Sequence, residues 1–162
     1  MKEKIIKLVF QSACFSELED QDQELIRNAK NSSNDAYAPY SGFMVGASLL
    51  LDNGKIVNAN NQENVAYPSG LCAERVGMFY ASAEYPNVVI NTIAIVAFSK
   101  SFEVKDIVSP CGSCRQVMAE YEEKQNKNIK VILYSSDDNI MILDSVKDLL
   151  PLLFHMPLLK NH

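Results

Sequence analysis

The stretch Cys72-Ala-Glu-Arg-Val-Gly-Met-Phe-Tyr-Ala-Ser-Ala83 has the spacing of an amphipathic helix. Its apolar residues recur at i, i+4, i+7, i+8 and i+11, which are Cys72, Val76, Phe79, Tyr80 and Ala83. Pro86 interrupts this pattern. We therefore predict a helix that begins at Cys72 and carries one apolar face.

A second helix is expected further along, after a buried strand. The apolar run Thr92–Phe98 favours the strand. Beyond it, Cys111, Cys114, Met118 and Tyr121 lie at i, i+3, i+7 and i+10, which again marks one face of a helix. Both predicted helices therefore begin at a cysteine.

The flanking sequence completes an alternation of strands and helices. Ser16 and Glu19 have capping-box spacing and predict a helix to about Ala36, with an apolar stripe at Leu18, Leu25, Ile26 and Ala29. Further strands are expected over residues 4–10, 43–51, 55–60, 129–134 and 139–143, with a turn at Asp52-Asn-Gly54. The order β-α-β-β-α-β-α-β-β predicts a layered α/β sandwich.

The composition is that of an ordinary globular chain. It has 162 residues, of which 48% are hydrophobic and 22% charged. We expect one domain over residues 1–162, with an N-terminal strand extension over 1–15 and an apolar tail over 149–162. The net charge of -5 and the pI of about 5.0 argue against a nucleic-acid polymer or an anionic membrane as partner.

The first residues and the hydropathy predict a cytoplasmic protein. No run of 18 apolar residues is present, so no membrane span is expected. The start, Met1-Lys-Glu-Lys-Ile-Ile-Lys7, mixes charges into its apolar residues and lacks the core of a signal peptide. A cytoplasmic chain keeps its thiols reduced, so spaced cysteines favour metal binding or catalysis.

Three of the four cysteines are placed to bind a metal. Cys72, Cys111 and Cys114 lie at the predicted helix starts, where the helix dipole favours thiolates. Three thiolates give zinc three ligands and leave the fourth position open, as catalytic zinc sites do. Spacing leaves a closed structural site and a redox pair as alternatives.

Acidic and basic residues adjoin the predicted metal ligands. Glu74, two residues beyond Cys72, can face the open coordination position and carry a proton to and from water. Its alternative is a solvated glutamate favoured by the helix dipole. Arg75 and Arg115 follow Glu74 and Cys114, where each can donate to sulfur or form an ordinary salt bridge.

These residues together resemble the signature of zinc-dependent nucleoside deaminases, with Cys72-Ala-Glu74, then 35 residues, then Pro110-Cys-Gly-Ser-Cys114. More narrowly, the chain resembles the small, all-cysteine cytidine deaminases of pyrimidine salvage. Three further segments support this resemblance. Ala38–Ala47 is similar to the family's Pro-Tyr-Ser-x-Phe-x-Val-Gly-Ala segment, and Asn61–Asn64 is similar to its Asn-x-Glu-Asn segment. Cys111–Val117 is similar to its Pro-Cys-Gly-x-Cys-Arg-Gln-Val segment. The resemblance covers about residues 20–157 and implies a three-layer α/β/α sandwich with a mixed central sheet.

The resemblance implies hydrolytic deamination of cytidine and deoxycytidine, with release of ammonia. One Zn²⁺ per subunit is then held by Cys72, Cys111 and Cys114, with Glu74 as the catalytic proton carrier and Arg75 compensating the thiolate charge. Rival functions are a related aminohydrolase acting on another cytosine derivative and a non-catalytic structural-zinc module.

The resemblance also implies a set of substrate-binding residues. They are Phe43 against the pyrimidine, Asn61 and Glu63 at the ribose, Tyr67 near the ribose 5′ side and the Ala73 backbone at the base edge. By residue type alone, Phe43 is a core residue. Asn61 and Glu63 also fit an ordinary polar turn.

The C-terminal segment Leu149–Leu159 is strongly apolar, with eight Leu, Phe or Met among eleven residues and two prolines. The prolines exclude a regular helix or central strand. Such a tail either packs on its own sheet or forms an oligomer interface. The resemblance implies the second, a homotetramer in which Phe154 completes a neighbour's site. We expect Cys14 to be a buried apolar residue, and His155 and His162 to be solvated.

Overall fold

Among residues 1–136 and 139–160, which the computed structural model describes, six strands form one mixed sheet. They are β1 (Gln11–Ala13), β2 (Phe43–Leu51), β3 (Ile56–Asn60), β4 (Ile90–Ser99), β5 (Lys130–Ser136) and β6 (Asn139–Leu143). Their order across the sheet is β1-β6-β5-β4-β2-β3. The pair β4 and β5 is parallel, and the other neighbouring pairs are antiparallel.

Helices cover both faces of this sheet. Leu25 and Ile26 of helix α1 (Asp20–Ser33) belong to the apolar cluster on one face. On the other face, Met78 of helix α2 (Ala73–Glu84) and Met118 of helix α3 (Gly112–Gln125) belong to a second cluster. The three-layer α/β/α sandwich is therefore confirmed.

The pleat of β2 decides which of its side chains reach the α2–α3 layer. Ala47 and Leu49 belong to the cluster that contains α2 and α3, whereas Leu50 belongs to the α1 cluster. Because side chains alternate along a strand, Phe43 points to the same face as Ala47 and Leu49. Gly77 lets α2 approach this face closely, since a Cβ atom there would lie 2.6 Å from Leu49 Cδ1.

The strand expected over residues 4–10 is wrong. Residues 1–10 have no regular structure, and β1 covers only Gln11–Ala13. Its register against β6 explains this, because Gln11 already lies opposite Ile142, next to the last residue of β6. Earlier residues therefore run past the end of the partner strand and find no backbone groups to pair with.

The start predicted for α1 is also wrong. Ser16 lies in a one-turn 3₁₀ helix, Phe15–Glu17, and α1 begins at Asp20. The capping box forms instead between Cys14 and Glu17, whose carboxylate accepts from the Cys14 backbone N–H at 2.7 Å. Cys14 is partly rather than fully buried. The predicted apolar stripe of α1 is buried, as expected.

Helix α2 presents its two aromatic side chains outward. Phe79 and Tyr80 are 43% and 54% exposed. The buried residues of α2 are Ala73, Glu74, Gly77, Met78 and Ala81. Most of these residues are small, which allows α2 to approach the sheet closely through this side of the helix. The predicted apolar face points away from the sheet and therefore lies on the surface of the single chain.

Leu149, the first residue of the apolar tail, packs in the core at the end of the 3₁₀ helix Val146–Leu149. Beyond it the described tail leaves the sheet, and between this helix and the 3₁₀ helix Pro157–Lys160, Leu152 and Phe154 are 85% and 69% exposed. His155 is not simply solvated, because its Nδ1 lies 2.7 Å from a Glu123 carboxylate oxygen. His162 lies outside the described residues. No helix in the described part of the chain is long and apolar enough to cross a membrane.

Candidate active site

Two helix starts bring three thiols together on one face of the sheet. Cys72 and Cys111 are the residues immediately before α2 and α3, and Cys114 lies in the first turn of α3. Cys111 Sγ lies 3.9 Å from Cys72 Sγ and 3.5 Å from Cys114 Sγ. All three sulfur atoms lie within 4.8 Å of one another.

This cluster has the dimensions of a zinc site. Zinc–sulfur bonds of ~2.3 Å in a tetrahedron place neighbouring sulfurs ~3.8 Å apart, close to the observed separations. Among the described residues, no fourth cysteine, histidine or carboxylate joins the group. The pKa of the Cys72 thiol is lowered to about 5, chiefly because the Cys114 thiol donates to it, with Arg75 and Cys111 also contributing. The donor set therefore fits Zn²⁺ and leaves one coordination position for a reactant.

Glu74 brings a buried carboxylate to the same helix start. Its side chain is only 4% exposed, and its Oε2 atom has no hydrogen-bond partner. Burial raises the pKa of this carboxyl above its ordinary value, and the neighbouring Cys72 raises it further. An unpartnered buried oxygen costs stability unless a ligand uses it. Glu74 thus has the properties of a group that exchanges a proton with a bound reactant.

The two arginines beside the cysteines have different contacts. Arg75 Nη2 lies 4.0 Å from Cys72 Sγ, and its Nε is buried without a hydrogen-bond partner. Arg115 instead donates to the backbone carbonyls of Pro110 at 2.7 Å and Leu149 at 2.9 Å. Of the two guanidiniums, the one that can offset thiolate charge is therefore that of Arg75.

A cavity of about 530 Å³ opens beside the thiols, and Cys72 and Arg75 form one end of its lining. Glu63, Asn61 and Tyr67 also line it. The volume lies within the usual range for small-molecule sites, ~300–1,000 Å³. Of the three clustered cysteines, Cys72 is the one that lines this cavity together with the Asn61–Asn64 segment.

Glu63 is held in a fixed position in this cavity by the segment before β2. Its Oε2 accepts the backbone N–H of Tyr40 at 2.9 Å and of Ser41 at 3.3 Å, and the Ser41 hydroxyl donates to its other oxygen. The hydroxyl, and then these amides, lower the pKa of Glu63 below its ordinary value. Glu63 is therefore an ionised hydrogen-bond acceptor with a set orientation.

Asn61 is 9% exposed, and its carboxamide bonds the backbone at the start of β2. The Oδ1 atom accepts from Val45 N–H at 2.8 Å, and Nδ2 donates to the Phe43 carbonyl at 2.9 Å. Both ends of the amide are thus engaged. Asn61 contributes to the cavity wall and fixes the backbone of Phe43.

Of the aromatic residues expected to bind substrate, Tyr67 lines the cavity and Phe43 does not. The Phe43 ring stacks on Phe102, with centroids 6.3 Å apart and planes 12° apart. Tyr67 is 76% exposed and meets Tyr40 edge to face. Ala73 is fully buried and does not line the cavity. Phe154 does not line the cavity.

Sequence reasoning missed three residues that hold these groups in place. They are Ser41 beneath Glu63, Phe102 against Phe43, and Gln116, which bonds the backbone of Phe154. Ser41 and Gln116 lie inside the quoted segments, but no local pattern gives their partners. Phe102 follows the end of β4 by three residues and has no periodicity that marks it.

Comparison with known proteins agrees with this geometry. Residues 19–129 match the family model described as the cytidine and deoxycytidylate deaminase zinc-binding region. The chain is 45% identical over 98 residues to cytidine deaminase from Halalkalibacterium halodurans, covering 60% of this chain and 70% of that one. It is 31% identical over 141 residues to a probable cytidine deaminase from Dictyostelium discoideum, covering 84% and 85% of the two chains.

Solved structures are similar over most of the fold. The crystal structure of cytidine deaminase from Burkholderia pseudomallei superposes with a TM-score of 0.70 at 35% identity, covering 85% of this chain and all 100% of that chain. The cytidine deaminase from Mycobacterium tuberculosis superposes with a TM-score of 0.65 at 30% identity, covering 85% and 99% of the two chains.

Proposed function

The chain belongs to the cytidine and deoxycytidylate deaminase family, and we propose which of its residues carry out the reaction. That reaction is the hydrolytic deamination of cytidine and deoxycytidine to uridine and deoxyuridine, with release of ammonia, in pyrimidine salvage. The observation that carries the proposal is the buried, unpartnered Glu74 carboxylate oxygen beside three clustered thiols.

One Zn²⁺ per subunit fits Cys72, Cys111 and Cys114, and such an ion supplies water of lowered pKa at a catalytic site. Glu74 takes the proton of the attacking water. It delivers that proton to N3 of the cytosine ring while the water oxygen bonds to C4, and it then moves the second water proton from this oxygen to the exocyclic amine, so that the C4–N bond breaks, ammonia leaves and the C4 carbonyl of uridine forms. The raised pKa of Glu74 suits a group that must both accept and return a proton.

Glu63 and Phe43 are proposed to hold the nucleoside. Glu63 lines the cavity as an ionised acceptor, which suits a ribose hydroxyl donor. Phe43 faces the α2–α3 layer, and stacking a base on an aromatic ring contributes ~1–3 kcal/mol. Asn61 supports Phe43 by bonding its backbone carbonyl.

Tyr67 and Ala73 complete the proposed substrate set. Tyr67 lines the cavity and is largely exposed, which suits contact with the ribose 5′ side. The Ala73 backbone lies between Cys72 and Glu74, where its polar groups can pair with the edge of the base.

A substrate panel tests the proposed function. We expect zinc-loaded protein to deaminate cytidine and deoxycytidine, to act far more slowly on cytosine, which lacks the ribose that Glu63 binds, and to leave adenosine unchanged. The change in ultraviolet absorbance reports each reaction. Deamination of another cytosine derivative without activity on cytidine points to the related aminohydrolase instead.

Arg75→Gln is expected to lower kcat more than it lowers the melting temperature. Three thiolates and Zn²⁺ carry a net charge of about -1, and removing the guanidinium next to Cys72 leaves that charge less well compensated. Steady-state kinetics and thermal denaturation measure the two effects. Arg27→Gln, an exposed arginine of α1, is the matched control and should change neither.

Unchanged turnover of Arg75→Gln with a lowered melting temperature contradicts the electronic role. That result identifies Arg75 as an ordinary structural ion-pairing residue.

We propose a homotetramer whose sites are completed by neighbouring subunits. The support is the outward-facing pair Phe79 and Tyr80 on α2 and the exposed tail residues Leu152 and Phe154. Monomers rarely leave so many large apolar side chains in solvent, and closed symmetric assembly covers such surfaces. In this assembly the Phe154 ring covers the base bound to a neighbour.

Complementation between two impaired chains, assayed at a cytidine concentration below the parent KM, tests the shared site. Mixing Glu74→Gln with Phe154→Ala chains is expected to restore activity, because some hybrid sites then hold both wild-type residues. Light scattering gives the mass of the assembly. A monomeric mass, or no recovery despite confirmed subunit exchange, contradicts the shared site.

We propose that the protein acts in the cytoplasm. No disulfide joins Cys72, Cys111 and Cys114, and a thiolate zinc site needs reduced cysteines.

A further inference from the structure

The Gln116 carboxamide forms hydrogen bonds with the backbone of the tail through both its nitrogen and its oxygen. Its Nε2 donates to the Phe154 carbonyl at 3.0 Å, and its Oε1 accepts the Phe154 N–H at 3.1 Å. The Gln116 amide thus forms with Phe154 the same pair of hydrogen bonds that a residue of a neighbouring antiparallel strand would form. Phe154 is thereby fixed to α3 by its backbone, while its ring stays 69% exposed.

Two other residues of α3 hold the tail on either side of this contact. Arg115 Nη1 donates to the Leu149 carbonyl at 2.9 Å, and the Glu123 carboxylate pairs with His155. Arg115 also donates through Nε to Pro110, the residue before Cys111. The tail is therefore hydrogen-bonded to α3, the helix that carries Cys114. Along this helix, the first residue that contacts the tail is Arg115, which directly follows Cys114.

We infer that Gln116 is a positioning residue, which fixes the tail to α3 so that the exposed Phe154 ring is presented to the base bound by a neighbouring subunit. The inference rests on the proposed function, because it needs Phe154 to contact substrate. Both hydrogen bonds of the Gln116 carboxamide go to the tail backbone, and a backbone held at its N–H and its C=O fixes the direction in which the Phe154 side chain leaves the chain.

A second glutamine of α3 provides a matched control. Gln125 makes the same two-bond contact with the backbone of Ile90, at 2.9 Å and 3.0 Å. That contact lies at the opposite end of the helix and anchors the start of β4. Comparing variants of the two glutamines therefore distinguishes the general effect of losing such a side-chain-to-backbone contact from the specific effect of releasing the tail.

The test replaces each glutamine by methionine, which has similar length and no amide. Gln116→Met is expected to raise KM for cytidine by about three- to tenfold, the effect of losing two exposed hydrogen bonds, with kcat and zinc content nearly unchanged. Hydrogen exchange at the Phe154 amide should become faster. Gln125→Met should lower the melting temperature without changing KM.

A double-variant cycle decides whether Gln116 acts through Phe154. Phe154→Ala alone is expected to raise KM, and adding Gln116→Met to it should raise KM no further. Gln116→Glu, which keeps the size but sets a carboxylate against the Phe154 carbonyl, is a second variant and should also raise KM.

Independent, additive effects of the two substitutions overturn the inference. So does an unchanged KM in Gln116→Met, or in Phe154→Ala, while the parent deaminates cytidine. Failure of the proposed function is distinguishable, because the parent protein then leaves cytidine unchanged although Phe154 amide exchange still responds to Gln116→Met.

Discussion

Glu74→Gln is expected to bind a full complement of zinc, to fold normally and to lose nearly all turnover. The amide has the size of the carboxyl group, but it cannot take a proton from water and return it to the base. Removing a general acid–base group costs ~10²–10⁴-fold in rate, and more where one residue serves in two steps. Steady-state kinetics on cytidine and metal analysis of the same preparation measure both properties.

Glu84→Gln is the matched control, since Glu84 is an exposed glutamate at the end of the same helix. It should turn over cytidine at the parent rate. A Glu74→Gln variant within tenfold of the parent rate removes Glu74 from the mechanism.

Replacing any one of Cys72, Cys111 or Cys114 by alanine is expected to abolish tight zinc binding and, with it, activity. Two thiolates leave a zinc ion with half of its tetrahedral shell to be filled by water, and metal affinity falls steeply when a ligand is lost. Because the three sulfur atoms lie within 4.8 Å of one another, each is equally needed. Metal analysis of the purified variants gives the zinc content per chain.

Cys14→Ala is the control for this series, because Cys14 lies outside the cluster. It should retain one zinc per chain and the parent activity. Full zinc occupancy in any of the other three variants contradicts the ligand assignment.

Features encoded over short sequence distances were predictable. The bounds of β2, Phe43–Leu51, follow from a mainly apolar run that ends at the Asp52-Asn-Gly54 turn. The starts of α2 and α3 follow from the positions of Cys72 and Cys111, each of which directly precedes its helix. Spacing within one helix start also places Cys111 beside Cys114, whereas their meeting with Cys72, 39 residues away, was predicted from the resemblance to zinc-dependent deaminases.

Features that depend on partners distant in sequence were not predictable. The strand expected at residues 4–10 fails because β6 is too short to pair with it, which only the register reveals. The apolar face expected on α2 lies on the surface because Gly77 and its small neighbours set the approach to the sheet. Periodicity identifies an apolar face, but it does not tell whether the same chain or another one covers it.

The residues that hold the site residues in position also depend on partners distant in sequence. Glu63 depends on Ser41, 22 residues away, and Phe154 depends on Gln116, 38 residues away. No local rule joins such pairs, because the fold alone brings them within hydrogen-bond distance. A motif therefore names the reacting groups, while the residues that hold them become visible only in the structure.

The most direct test of the account is the stoichiometry of the reaction. Zinc-loaded parent protein is mixed with a known amount of cytidine, and uridine and ammonia are both quantified at completion. The account predicts one uridine and one ammonia for each cytidine consumed, with no reaction in the Glu74→Gln protein. Intact cytidine after incubation with folded, fully zinc-loaded parent protein contradicts it.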